Sequence, residues 1–309
     1  MKPAPLRIAT RKSQLALWQA EHVAARLRAA HPGLETELVA MSTKGDQILD
    51  RSLAAIGGKG LFIKELEIAL QERRADIAVH SMKDVPADLP AGFGIAAVLA
   101  RADPRDALIT AHAHGLADLS PGARVGTSSL RRRAQLLAAR PDLRIEPLRG
   151  NVNSRLRRLD DGELDAIVLA SAGLTRLGLD SRIAAYLAPE ISLPAVGQGV
   201  IGVECRTDDA ATLTRLAALE DAPTRVVLDA ERAFSRHLGG SCQSPVAAHA
   251  TLDGNRLRID GLVAAVDGTR VLRASQTGAA GDAAYLGRGL AQQLLDAGAG
   301  ALLDALRAD

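Results

Sequence analysis

A pattern written twice constrains this chain most. Leu6-Arg7-Ile8-Ala9 reads as a short buried strand, Thr10-Arg11-Lys12-Ser13 follows, and a helical stretch then places apolar residues at Leu15, Trp18, Val23 and Leu27. Farther on, a strand ends at Val125-Gly126, three hydroxyls follow at Thr127, Ser128 and Ser129, and a helix opens with Arg131, Arg132 and Arg133. Strand, hydroxyls and cations, helix start: this order aims backbone N–H groups and positive charge at an anion. Between and after these units, Leu34–Met41 reads as a strand and Leu61–Leu70 as an amphipathic helix. Ile77-Ala78-Val79 and Asp165–Ala170 read as buried strands. Strands alternating with helices predict an α/β fold with largely parallel sheets. In such sheets ligands bind beyond the carboxyl ends of the strands.

The residues at those ends are chemically unusual. Val79 is followed within five positions by His80, Ser81, Lys83 and Asp84. Lys83 and Asp84 suit either a solvated loop pair or a binding edge. Between Arg131 and Arg158 the chain carries nine arginines against only two acids, Asp142 and Glu146. Arginines in the first turn of a helix oppose its macrodipole, a local cost that an anion at that point would offset. The competing reading is a solvated basic face. Leu148-Arg149-Gly150-Asn151 leads into a further helix carrying Arg155, and Ser171–Arg176 follows the strand at Asp165–Ala170. Ser13 also suits a plain helix N-cap. Ser42–Gly58, before Lys59, has glycines at both ends and suits either a mobile lid or an ordinary surface loop.

Length sets the organisation. With 309 residues the chain has room for two or three domains. Arg101–Arg105, with Pro104, marks a crossing into a second lobe, and Leu193–Gly199, with Gln198 among Pro and Gly residues, suits a returning hinge strand. Two crossings between two α/β lobes resemble the periplasmic binding proteins, whose cleft closes on small ligands. The expected division is 1–100 plus 199–220, then 101–198, then a small C-terminal α/β domain over 221–309. That last part shows helices around 213–219 and 225–234, alternating stretches near 247–252, 256–263 and 269–275, and a helix over 283–296. His237–Pro245 is a glycine-rich turn exposing Cys242, whereas Cys205 reads as an inert thiol at a buried strand end. Two cysteines provide no disulfide framework and no metal-ligand spacing. No apolar signal core or span of about 20 apolar residues is present, so a cytoplasmic protein is expected. A net charge of +2 and scarce aromatics argue against nucleic acid as partner.

No Ser-His-Asp set, P-loop or dinucleotide fingerprint is visible. What remains is an arginine-rich anion site, one acid and one thiol. Ala75–Pro86, Gly126–Arg132, Arg149–Asn151, Leu193–Gly199 and the Gly239-Gly240-Ser241-Cys242-Gln243 loop resemble the porphobilinogen deaminase (hydroxymethylbilane synthase) family, in order, from about Leu6 to the C-terminus. The resemblance implies two binding-protein-like (type II) lobes plus a C-terminal domain. It implies a cytoplasmic, monomeric transferase of heme and other tetrapyrrole biosynthesis. Such an enzyme condenses four porphobilinogen molecules head to tail, with loss of ammonia, into hydroxymethylbilane. Its primer is a dipyrromethane joined by a thioether, here to Cys242. By the same resemblance Asp84 stabilises the azafulvenium cation left when ammonia departs. Arg11, Ser13, Lys83, Thr127, Ser128, Ser129, Arg131, Arg132, Arg149, Arg155 and Arg176 would bind the acetate and propionate groups of cofactor and substrate. Lys59 would belong to the lid, Gln198 to the hinge, and Phe62 could stack on a pyrrole or simply fill core. Ser241 and Ser244 depart from the residues common in the family, which touches only the fine geometry of the loop. Two other classes stay open: a non-catalytic two-lobed anion-binding module, and a nucleic-acid binder using the arginine cluster.

Overall fold

The computed structural model describes residues 4–43, 45, 63–111, 113–239 and 244–308. Lys59, Phe62, Cys242 and most of Ser42–Gly58 lie outside the described residues. The chain forms two compact units, Met1–Ala102 with Val200–Arg225, and Asp103–Gly199 with Val226–Asp309.

The first unit is built on a five-stranded sheet. Its strands are β1 (Leu6–Arg11), β2 (Thr36–Met41), β3 (Ile77–Ser81), β4 (Phe93–Val98) and β10 (Ile201–Arg206), in the order β2-β1-β3-β10-β4. β1 runs parallel to β2 and β3, but β10 runs antiparallel to both of its neighbours. The expectation of a largely parallel sheet is therefore corrected to a mixed one. β10 enters as the chain returns from the second unit, from the opposite end to a strand fed by a local crossover helix. β3 is buried from Ile77 to His80, which accounts for its unbroken apolar run. Residue alternation along the strands sends Ile8, Ile77 and Val79 to one face and Ala9 and Ala78 to the other. Helix α1 (Gln14–Ala30) covers the first face with Ala20, Val23, Ala24 and Leu27; α2 (Lys64–Gln71) covers the second with Leu66, Ala69 and Leu70.

The second unit repeats this order. Strands β5 (Asp106–Ile109), β6 (Arg124–Gly126), β7 (Arg144–Glu146), β8 (Ala166–Ala170) and β9 (Ala185–Leu187) lie as β7-β6-β8-β5-β9. β6 is parallel to β7 and β8, and β5 is antiparallel to β8 and β9. Again the antiparallel strand is the one nearest a crossing. Helices α3 (Leu130–Ala139), α4 (Val152–Asp160) and α5 (Ser171–Arg176) follow β6, β7 and β8. The likeness of the two sheets extends to single hydrogen bonds. Arg7 at the head of β1 donates its backbone N–H to Asp76 Oδ2 at 2.8 Å and its guanidinium to both oxygens. Arg124, at the head of β6, does the same to Asp165, with 2.7 Å from the backbone N–H.

The rest of the second unit is an antiparallel sheet of β11 (Val246–Asp253), β12 (Arg256–Ala264) and β13 (Val271–Ala279). Its inner face packs on Phe234 and Leu290, which belong to the helices over Ala222–His237 and Ala283–Leu294. The last helix read from sequence stops near Leu294; Gly298, at φ 98°, turns the chain into a further helix, Gly300–Ala308, that was not anticipated. Among the described residues no helix is long and apolar enough to cross a membrane.

Candidate functional site

In the first unit the candidate residues gather at the carboxyl edge of the sheet. β1 and β3 are parallel neighbours, so Arg11, Ser13, Lys83 and Asp84 follow two adjacent strand ends. Ser13 is the N-cap of α1, its hydroxyl accepting from the Ala16 N–H at 3.4 Å. Beyond β3, Met82–Asp84 form a single tight helical turn, closed by the Val85 N–H to Met82 O at 3.2 Å. The turn is pinned from below. Met82 is buried, its N–H donates to Val200 O at 3.0 Å, and its side chain fills the space above Gly202 of β10. A Cβ at Gly202 would overlap the Met82 sulfur and stand 3.0 Å from Met82 Cγ. Lys83 and Asp84 are half-buried on this turn. Beneath it lies a buried pair, His80 Nε2 to Glu204 Oε2 at 2.8 Å. Burial, and then the charge of Glu204, raises the Glu67 carboxyl above its ordinary value.

In the second unit the corresponding edge is formed by β6, β7 and β8. Thr127 Oγ1 accepts from the Ser129 N–H at 3.2 Å, Ser128 Oγ from the Leu148 N–H at 3.0 Å, and Ser129 Oγ from the Arg132 N–H at 3.4 Å, capping α3. Each hydroxyl accepts in these bonds and keeps its own proton to donate. Asn151 caps α4 through the Ser154 N–H at 2.9 Å, and Arg155 Nε donates to Gly150 O at 2.8 Å. Gly150 holds φ 103°, which lets the Arg149–Asn151 turn fold back on itself. Arg149 and Arg155 are half-buried. Arg176 ends α5 and donates to Gly199 O at 2.7 Å; burial pushes its guanidinium down to about 10.

Arg131 and Arg132 are not a solvated face. They are only 4% and 6% exposed, and both turn onto Asp106, the fully buried first residue of β5. Arg131 Nη1 reaches Asp106 Oδ2 at 2.8 Å, and Arg132 Nη2 reaches Oδ1 at 2.8 Å. Arg131 also donates to Leu193 O at 2.7 Å and Arg132 to Val168 O at 3.0 Å. Gln198 Nε2 spans Pro104 O at 2.6 Å and Asp106 Oδ1 at 2.8 Å, so the residue read as a hinge joins the same cluster. Burial alone would raise the Asp106 carboxyl, but the two guanidiniums outweigh it and hold the group well below the usual range. Burial likewise lowers Arg131, opposed by Asp106. Asp106 was missed from sequence; its one signal is an acid opening the apolar run Ala107-Leu108-Ile109.

The arrangement tests what a ligand must be. Two buried guanidiniums share one carboxylate at the positive end of α3, leaving surplus positive charge beside hydroxyl donors. That donor set fits carboxylates, and thus a dipyrromethane bearing acetate and propionate groups. Cys205 is 1% exposed, and burial pushes its thiol up to about 11, so it is no nucleophile.

Comparisons with known proteins agree. Residues 6–214 match the porphobilinogen deaminase, dipyromethane cofactor binding domain, and 226–296 match the porphobilinogen deaminase C-terminal domain. A curated relative, the porphobilinogen deaminase of Chromobacterium violaceum, is 56% identical over 302 residues, covering 98% of each chain. Two solved structures overlap loosely. The Bordetella pertussis BvgS periplasmic VFT2 domain has TM-score 0.42 at 15% identity, over 69% of this chain and 86% of that one. A putative methionine-binding lipoprotein of Bacillus subtilis has TM-score 0.43 at 12% identity, over 70% and 90%. Over nearly its whole length, then, this chain belongs to the porphobilinogen deaminase family.

Proposed function

We propose that this chain carries out its family's reaction, the condensation of four porphobilinogen molecules into hydroxymethylbilane with release of ammonia, by the following division of roles. The observation that carries the reading is the pair of buried guanidiniums on one carboxylate, a site short of negative charge. Arg131, Arg132, Thr127, Ser128 and Ser129 hold the carboxylates of a dipyrromethane attached through Cys242. That group supplies the pyrrole carbon from which the chain grows. Arg11, Ser13, Lys83, Arg149, Arg155 and Arg176 bind the acetate and propionate groups of incoming substrate and of the lengthening product. Guanidiniums suit this work because they bind carboxylates bidentately and stay charged. Asp84 faces the opposite task. Among so many cations, positive charge developing on a pyrrole nitrogen needs a fixed anion, and a carboxylate at a strand's carboxyl end provides it and can relay the proton. Lys59, outside the described residues, joins the same carboxylate-binding set, and Gln198 belongs to the returning strand. The enzyme acts as a cytoplasmic monomer of three domains, divided near residues 100, 199 and 221.

A module that only bound anions would need neither Asp84 nor a pyrrole on Cys242. Intact mass under denaturing conditions separates the two. The expected result is an excess of two linked pyrrole units on the wild-type chain and on Cys205→Ser, and none on Cys242→Ser. An adduct mapping to Cys205, or no adduct on freshly made wild-type protein, would overturn the proposal.

A further inference from the structure

The arginine pair is organised by a residue with no part in the chemistry above. Asp106 is fully buried, and its oxygens receive Arg131 Nη1 and Nη2 at 2.8 and 3.2 Å, Arg132 Nε and Nη2 at 3.0 and 2.8 Å, Ser192 Oγ at 2.7 Å and Gln198 Nε2 at 2.8 Å. These donors outnumber the roughly four lone-pair sites of a carboxylate. Charge is unbalanced in the same sense: one anion meets two cations, all of them buried. A buried ion pair serving stability alone needs close to full compensation. This cluster withholds it, and does so at the positive end of a helix. Each guanidinium nevertheless has a fixed orientation, because Arg131 Nη1 also donates to Leu193 O and Arg132 Nη1 donates to Val168 O.

We infer that Asp106 is a positioning residue: it clamps Arg131 and Arg132 side by side so that the positive charge it does not balance receives a carboxylate of the covalent pyrrole group. The inference rests on the reading that this arginine pair holds that group. Removing the Asp106 charge leaves two guanidiniums repelling each other, and an amide in its place turns N–H donors toward other donors. The pair then splays and no longer presents one geometry.

The test scores adduct per folded chain, by intact mass on protein whose folded fraction is set by circular dichroism. Asp106→Asn should lower the adduct-bearing fraction by about tenfold or more, the scale of losing a charge-assisted partner. Asp106→Glu keeps the charge and moves it by one methylene. It should fold, recover part of the adduct, and remain several-fold below wild type by the same reasoning. Asp103→Asn, which removes a neighbouring acid paired instead with Arg105 at 2.6 Å, should match wild type. Wild-type occupancy in folded Asp106→Asn overturns the inference. If that variant gives no folded chain, wild-type occupancy in Asp106→Glu overturns it equally. A parallel Arg131→Leu variant separates the two levels: full adduct there would remove the arginine pair from cofactor binding, whatever Asp106 does.

Discussion

Gly202 is expected to govern the geometry of Asp84 from beneath, and a double-variant cycle can measure this. In Gly202→Ala the new methyl overlaps the Met82 sulfur, stands 3.0 Å from Met82 Cγ and 3.4 Å from Ile95 Cγ2. Met82 is 1% exposed and packed under its own turn, so its displaced side chain is expected to lift that turn. Overpacking of this kind costs about 2 kcal/mol, within a usual range of 1–3. The lifted turn carries Lys83 and Asp84 with it, and a displacement near 1 Å at a catalytic group lowers turnover by about a hundredfold. Met82→Ala alone leaves a cavity and costs about 2–5 kcal/mol. In the double variant the methyl enters that cavity, so the second substitution adds almost nothing. Urea unfolding of wild type, both single variants and the double variant gives the coupling, expected near 2 kcal/mol in the compensating direction. Steady-state turnover on the same proteins reads the displacement. Costs that simply add, within about 0.5 kcal/mol, would refute the wedge. Full turnover in a destabilised Gly202→Ala would refute its link to Asp84.

Three further outcomes follow from the site. Asp84→Asn should fold normally and lose about 10² to 10⁴ in turnover, while Asp84→Glu keeps more; near-normal turnover of the Asn variant would return Asp84 to a loop charge. Arg131→Leu should fail to assemble or keep the pyrrole adduct, whereas Arg176→Leu should carry it and stall with partly extended chains. Mass ladders after addition of porphobilinogen, identical for wild type and both variants, would contradict this. Glu67 has a raised carboxyl in the folded protein, so the folded state binds its proton more tightly than the unfolded chain does. Its contribution to stability is therefore lost as pH rises from the ordinary carboxylate value through the raised one. Glu67→Gln should flatten that part of the stability–pH curve, measured by urea midpoints, and an unchanged curve would refute it.

The carboxyl-edge residues were legible because strand-ending apolar runs, hydroxyl clusters and arginines at helix starts are local signals. Strand direction was not local. β5 and β10 run against their neighbours because each comes next to a passage between units, which no periodicity records. The fate of Asp106 was hidden for a related reason. A local reading would join it to Arg105, yet Arg105 turns back to Asp103 in a bidentate pair at 2.6–3.0 Å. Asp106 instead meets arginines that β5 approaches only after it has paired with β8. The sequence suggested that an anion offsets the first-turn arginines, and part of that anion is the chain's own. Ser13 caps its helix as its position before α1 suggested, and Ser129 caps α3 in the same way.

The matching clamps Arg7–Asp76 and Arg124–Asp165 lock the second and third strands, in sheet order, of two sheets built to one plan. A frame made of two like halves offers two like edges, and nothing in the frame itself distinguishes them. The difference is made just past each third strand. In one half the strand runs into Lys83 and Asp84; in the other it runs into Ser171–Arg176, a segment with no acid. At the second edge the acid is Asp106, which pairs with Ala170 at the end of β8. The same plan thus yields two edges of different chemistry, one with its acid on the loop after the strand and the other with its acid inside a pair of guanidiniums.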